Sequence, residues 1–290
     1  MPQERTLDLH SHTTASDGDH SPTELIAHAK EVGLTAIAVT DHDTLAGLGE
    51  AIEAGKRYGV EVIPGIELSG EIDYGQCHIL GLLVQPDSVL MKTRLHEVLH
   101  NRRLRNEKIM AKIQAQGVDA TLEEVEAESG GEVIARPHFA KVLLKKGFVS
   151  SMQEAFDKHL TPGGTFYVDR VRLSPEECIA LIHQAGGVAI LAHPNNLKRD
   201  PLATEAKICE LMAVGLDGFE ARYNLHTPED NNRYLELAER LGAVTSGGSD
   251  FHGSSVKPKV FLGHVEGEKP APNTVLDALK AYQEQRLSRL

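Results

Sequence analysis

The chain has 290 residues, 41 % of them hydrophobic, and a formal net charge of −12. That length suits one large α/β domain or a domain with an insertion, and the apolar content is enough for a substantial core. The acidity argues against binding long nucleic acid, three scattered cysteines (Cys77, Cys178, Cys209) argue against a disulfide framework, and no apolar run approaches the ~20 residues that span a bilayer.

In chain order, MPQERTLDLH passes straight into a strand without an apolar leader, so a cytoplasmic protein is expected. Short apolar runs then alternate with helical patterns, as in βα units around a parallel sheet or barrel. The first half predicts strand Thr6–His10, helix Ser21–Glu31, strand Ala36–Thr40, helix Thr44–Tyr58 and strands Glu61–Leu68 and His78–Val84. From Val89 to Thr165 the alternation breaks into four helices: a long one to Gln116, then Thr121–Glu128, Pro137–Lys146 and Ser151–His159. The βα pattern resumes with helix Ser174–Gln184, strand Val188–Ala192, helix Ala203–Ala213, strand Gly218–Ala221, helix Pro228–Arg240 and strand Val244–Gly247. A helix at Thr274–Leu287 follows. SPTE at Ser21 and SPEE at Ser174 each place proline first and glutamate third in a helix, as a capping box requires.

Residues 1–88 and 166–290 therefore read as a barrel, and 89–165 as a helical insertion. The insertion's long helix is basic: Ser88–Gln116 holds seven Lys and Arg against two Glu, a local balance of +5 in an acidic chain. Such an island suits a small or short anionic ligand.

Imidazoles and carboxylates recur where the strands end: His10 and His12 in LDLHSH, Asp17 in TTASDG, His42 in TDHD, Glu67 in IPGIE, His78 in CHILG, His193 in ILAHP, and Asp250 and His252 in SDFH. With 15 histidines, roughly one H-x-H arises by chance, so His10 and His12 alone say little. Alternate strand residues share a face, however, and the carboxyl ends of barrel strands converge on one mouth. Nitrogen and oxygen donors together suit divalent manganese, zinc, iron or magnesium, and nine donors exceed what one ion needs. Asp41 and Asp43 flank His42 as candidate orienting partners. Of the remaining histidines, His226 is the strongest candidate for a role, since it follows a strand.

The order HSHT…D, TDHD, GIE, HILG, AHP, SDFH resembles the PHP family (polymerase and histidinol phosphatase). The resemblance implies a distorted (β/α)7 barrel with two or three divalent ions per chain, manganese first among them. It implies one ion on His10, His12, Glu67 and Asp250; a second on Glu67, His78 and His193; and a third on Asp17, His42 and His252. The activity it implies is attack of metal-activated hydroxide on a phosphomonoester, with Asp17, His193 and His252 as catalytic candidates and Asp17 or a histidine as proton donor.

The insertion must choose the substrate. Arg102, Arg103 and Arg105 lie on NRRLRNEK, and Arg136 and His138 open a helix at ARPHFAK. Guanidinium forks and a helix N-terminus both favour phosphate. This part resembles the phosphatases that remove the 3′-phosphate of 3′,5′-bisphosphonucleotides, such as adenosine 3′,5′-bisphosphate. Alternatives are a 5′→3′ exoribonuclease acting on short RNA oligonucleotides, histidinol-phosphate phosphatase, and a metal-stabilised binding module without turnover. No membrane and no obligate protein partner are expected.

Overall fold

A computed structural model describes residues 6–73, 75–129, 134, 136–169 and 173–289. The first five residues, read above for a leader, and Ala135 of the ARPH motif lie outside them. The chain divides into two compact units, Met1–Thr93 with Leu173–Leu290, and Arg94–Arg172.

The first unit is built on one sheet. Its strands are β1 (Thr6–Asp8), β2 (Ala36–Val39), β3 (Glu61–Gly70), β4 (Cys77–Leu82), β5 (Val188–Leu191), β6 (Gly218–Tyr223), β7 (Val244–Gly248) and β8 (Ala271–Pro272), in the order β7-β6-β5-β4-β3-β2-β1-β8. Beyond β1 the chain meets β7 and its continuation: Leu9 N–H donates to Gly247 O at 3.0 Å, Asp250 N–H to His10 O at 2.9 Å and His12 N–H to Phe251 O at 2.8 Å. These bonds bring the sheet's far edges together into a nearly closed barrel.

The expected strands form, with two differences. β8 is two residues long and contains proline, so it carries no alternation to read. More important, β4 runs antiparallel to both β3 and β5, while the pairs β1–β2, β2–β3, β5–β6 and β6–β7 are parallel. Only a few residues separate β3 from β4, too short for a crossover but enough for a turn. His78 consequently stands near the beginning of its strand, not at the carboxyl end where the sequence pattern placed it.

Helices α1 (Pro22–Glu31) and α7 (Pro175–Gln184) carry the capping boxes expected at Ser21 and Ser174. α2 (Leu48–Tyr58), α8 (Pro201–Ala213) and α9 (Pro228–Leu241) lie between strands, and α10 (Asn273–Leu287) ends the unit. Strand alternation sorts the core. Ala36 and Ala38 of β2 pack with Leu7, Ile63, Leu80, Ile190 and α10's Val275, Leu276 and Leu279. Ile37 and Val39, on the opposite face, pack with Leu25 and Ile26 of α1 and Ala51 of α2.

The second unit holds most of α3 (Val89–Ala115), then α4 (Leu122–Ser129), α5 (Arg136–Lys145) and α6 (Met152–Ala155), which continues into a wide π turn at Phe156–Leu160. It has its own core, including Ile109, Ile113, Val125, Phe139, Leu143, Leu160 and Phe166. Burial of Phe166 in that core explains why the unit runs past residue 165, and the division at Thr93 falls inside α3 because the helix is continuous there. Among the described residues, no helix is long and apolar enough to cross a membrane.

Candidate metal centre

Each candidate ligand is placed by local backbone. β1 delivers His10 and His12, and the loop after them is pinned by Asp41, which accepts from Thr13 N at 2.7 Å, Thr13 Oγ1 at 2.7 Å and Ser16 Oγ at 2.7 Å. That loop carries Asp17. Asp43 accepts from Ser69 N at 3.1 Å, tying the His42 loop to β3. The two aspartates expected to orient His42 thus hold these loops. His42 bridges to Glu67 on β3 in parallel fashion, and β4's reversal sets His78 opposite Ser69. His193 and Asp250 follow β5 and β7 with left-handed backbones, φ 31° and 57°. That conformation costs a non-glycine residue roughly 1–2 kcal/mol, and such strain clusters at functional sites.

The nine side chains converge. Glu67 Oε2 lies 3.2 Å from His10 Nε2, 3.2 Å from His12 Nε2 and 3.1 Å from His42 Nδ1. Its Oε1 lies 2.9 Å from His78 Nδ1 and 3.0 Å from His193 Nε2. Asp250 Oδ1 is 3.5 Å from His10 Nε2, 3.4 Å from His12 Nε2 and 3.3 Å from His252 Nδ1. Asp17 faces His252 Nε2 at 3.3 Å and His42 Nε2 at 3.8 Å. Among the described residues, three groups have one donor atom from each member within 4.8 Å of the others: His10–His12–Glu67–Asp250, His12–Asp17–His42–His252 and His42–Glu67–His78. His78 and His193 each meet Glu67 at Oε1, but the compact group about Glu67 and His78 takes His42 in place of His193.

These residues fit divalent cations. His10 Nε2, both ring nitrogens of His12, His42 Nδ1 and Glu67 Oε2 are buried without a hydrogen-bond partner although they face one another. Buried polar atoms are nearly always satisfied, so five such atoms in one cluster mark a place for an ion. Donors about 2.1 Å from a metal stand about 3.0 Å apart in an octahedron and about 3.4 Å apart in a tetrahedron, the spacing found here.

Charge agrees. Burial opposes ionisation of Glu67, yet the imidazoles of His42, His10 and His78 hold its carboxyl well below the usual range. Asp17, beside His42 and His252, and Asp250, beside His10 and His252, are likewise held low against burial. Burial drives His42 down to about 3, which leaves one of its ring nitrogens with a free lone pair, whereas His12, also buried, is lifted to about 9 by Asp250 and Glu67.

Sequence reasoning missed the supports behind these ligands. Glu220 on β6, fully buried, meets His10 Nδ1 at 3.0 Å and accepts from His193 N at 2.7 Å. Asp8 accepts from Ser249 N at 2.9 Å and Gly263 N at 2.8 Å. Tyr223 OH and Lys257 Nζ reach Asp250 Oδ2 at 3.0 Å and 2.6 Å, leaving Oδ1 toward the histidines. A lone acid in the buried strand GFEARY was the available signal for Glu220, and the i−2 relation to His10 was the signal for Asp8. Nothing local marked Lys257. His226 stays out of the ligand groups, its Nδ1 3.1 Å from Asn231 Oδ1.

The anion-binding candidates lie in the second unit. Arg102 and Arg105 are buried in α3, whereas Arg103 is exposed and 3.5 Å from Glu107. Arg105 Nη2 donates to Asn106 Oδ1 at 2.6 Å. Arg136 opens α5, donates to Leu160 O at 3.0 Å and lies 6.0 Å from the Tyr167 ring centroid, and His138 is buried within the helix's first turn.

Comparison with known proteins accords with this centre. The PHP domain matches residues 8–161. A 3′,5′-nucleoside bisphosphate phosphatase of Chromobacterium violaceum is 32 % identical over 276 residues, 95 % of this chain and 96 % of that one. The 5′-3′ exoribonuclease Rnm of Escherichia coli is 33 % identical over 247 residues, 84 % of each chain. Among solved structures, one from Bifidobacterium adolescentis, described as a metal-dependent phosphoesterase, superposes with a TM-score of 0.81 at 28 % identity, covering 97 % of both chains. With this cluster at the mouth of this barrel, the chain belongs to the PHP domain family, as a metal-dependent phosphoesterase of that family.

Proposed function

We propose that the enzyme hydrolyses the 3′-phosphate of small 3′,5′-bisphosphonucleotides, turning adenosine 3′,5′-bisphosphate into AMP and phosphate. The observation that carries this reading is the extent of likeness to the Chromobacterium phosphatase, which spans 95 % of the chain and so includes the insertion as well as the barrel. Manganese is the proposed metal, in two or three sites formed by the nine side chains. Bound there, divalent ions would acidify water, polarise a phosphoryl oxygen and offset charge on the leaving oxygen. The chain's own part is to orient. His10, His12 and Glu67 are fully enclosed, while Asp17, His42 and His78 side chains keep 28 %, 18 % and 19 % of their surface, so substrate enters on that side. His42 and His252 hold Asp17 low against its burial, which suits it to grip a cation, and Asp17 or a histidine beside it is the proton donor. Arg102, Arg105, Arg136 and His138 are assigned to the second phosphate and the base, where guanidinium forks match phosphate oxygens. Arg103 already pairs with Glu107 and contributes least.

A second reading, 5′→3′ trimming of short RNA, is favoured by the Escherichia relative and would use the same centre. Manganese-loaded protein offered adenosine 3′,5′-bisphosphate, histidinol phosphate and a 5′-phosphorylated oligoribonucleotide should release phosphate fastest from the bisphosphate. Faster nucleotide release from the oligomer would support the second reading instead. Arg136→Ala should lower kcat/KM on the bisphosphate roughly 10- to 100-fold, the worth of one charge-assisted contact, and spare a generic aryl phosphate. Equal losses on both would remove the recognition role.

A further inference from the structure

Glu220 is a fully buried carboxylate whose hydrogen-bond partners are the His10 ring and a backbone amide. Neither is a lysine or arginine. Burying a carboxyl with so few partners adds little to a fold by itself. What it faces is the candidate metal centre, through His10 and His193.

The two carboxylate oxygens do different work. Oε1 meets His10 Nδ1 at 3.0 Å, and the other ring nitrogen of His10 points at Glu67 and Asp250. A proton held on Nδ1 leaves the Nε2 lone pair for a cation, the arrangement found behind most metal-bound histidines. Oε2 accepts the N–H of His193, the residue whose φ of 31° turns its ring back toward Glu67. The neighbouring strand leaves room for this. At Gly248 a Cβ would lie 2.9 Å from Glu220 Oε1 and 2.2 Å from His10 Cβ. Asp17, His42 and His252 make no hydrogen bond with Glu220 among the described residues.

We propose that Glu220 is a positioning residue that sets two ligand groups at once, fixing the His10 ring for the His10–His12–Glu67–Asp250 group and the His193 backbone for the His78–His193 pair. The group of His12, Asp17, His42 and His252 stands outside its reach. One carboxylate on β6 therefore couples candidate ligands that follow β1 and β5, and this rests on the metal reading above. Both partners donate toward Glu220, so a glutamine in its place would satisfy one donor and turn an N–H against the other.

The test counts ions rather than turnover. Wild-type protein, Glu220→Gln and Asp17→Asn are stripped with chelator and dialysed against graded Mn²⁺, with bound metal read by elemental analysis and folding followed by circular dichroism. Glu220→Gln is expected to weaken the ions held by His10 and His193 by about 10- to 100-fold and to leave one ion near wild-type affinity. Asp17→Asn is expected to give the complement, losing that remaining ion first. Should Glu220→Gln fail to fold, Glu220→Asp, which keeps the charge but is one methylene short, is read in its place for the same selective loss. Unchanged affinity at every site, or an equal loss at all of them, overturns the inference. Wild-type protein that takes up no Mn²⁺ overturns the metal reading itself, and the inference with it.

Discussion

Five imidazole nitrogens lie 2.9–3.2 Å from the two oxygens of Glu67. Hydrogen bonds alone do not account for this, because three of the five crowd Oε2 and leave it without a partner. Until cations arrive, protons on the elevated imidazoles supply the balancing charge, so loading the centre at neutral pH displaces a proton from His12. The pH dependence follows. Burial opposes charge on His12, but Asp250 and Glu67 lift it from 6.5 to about 9. A group raised on folding contributes stability that is complete below 6.5 and is lost as the pH climbs through 9. In chelator, Tm should therefore fall between pH 6.5 and 9, and saturating Mn²⁺ should remove most of that slope. A flat Tm profile in chelator across this window would show that His12 holds no such proton.

At the scale of elements, β7 is fitted to its neighbour as closely as any ligand. Gly248→Ala would set a methyl against His10, an overpacking expected to cost about 1–3 kcal/mol. Urea unfolding in chelator measures that cost, and Mn²⁺ affinity should drop as His10 is displaced. An alanine variant with wild-type stability and affinity would mean the strand yields freely. Most elements were legible: the capping boxes at Ser21 and Ser174 and the short apolar run of β2 state their structure outright. The direction of β4 was not. Its run CHILGL reads alike in either sense, so the residue pattern named His78 as a ligand without revealing that the chain reaches it by turning back. Glu220 was hidden for a related reason, since an acid on a strand gains meaning only from what lies across the barrel.

For the whole molecule, the second unit's limits are not written as breaks in the pattern: α3 runs through Thr93 without interruption, and Phe166 packs in the unit's core. Its separate core argues that the second unit's stability responds to its own packing. Leu143→Ala, in that core, should cost about 2–5 kcal/mol there while Mn²⁺ binding by the barrel is unchanged, which limited proteolysis and metal titration would separate. Loss of metal binding in that variant would show the two units to be one cooperative block.

The bonds that join β1's continuation to β7 carry a consequence in time. The His10 carbonyl accepts the Asp250 N–H across a seam whose two sides are 240 positions apart in the chain. Loop closure over that distance is slow and comes after local helices and neighbouring strands have formed. If the seam closes last, bound Mn²⁺ is expected to act as a latch, slowing unfolding while leaving the folding rate almost unchanged; stopped-flow unfolding with Mn²⁺ and with chelator measures both, and equal effects on the two rates would show that the seam forms early.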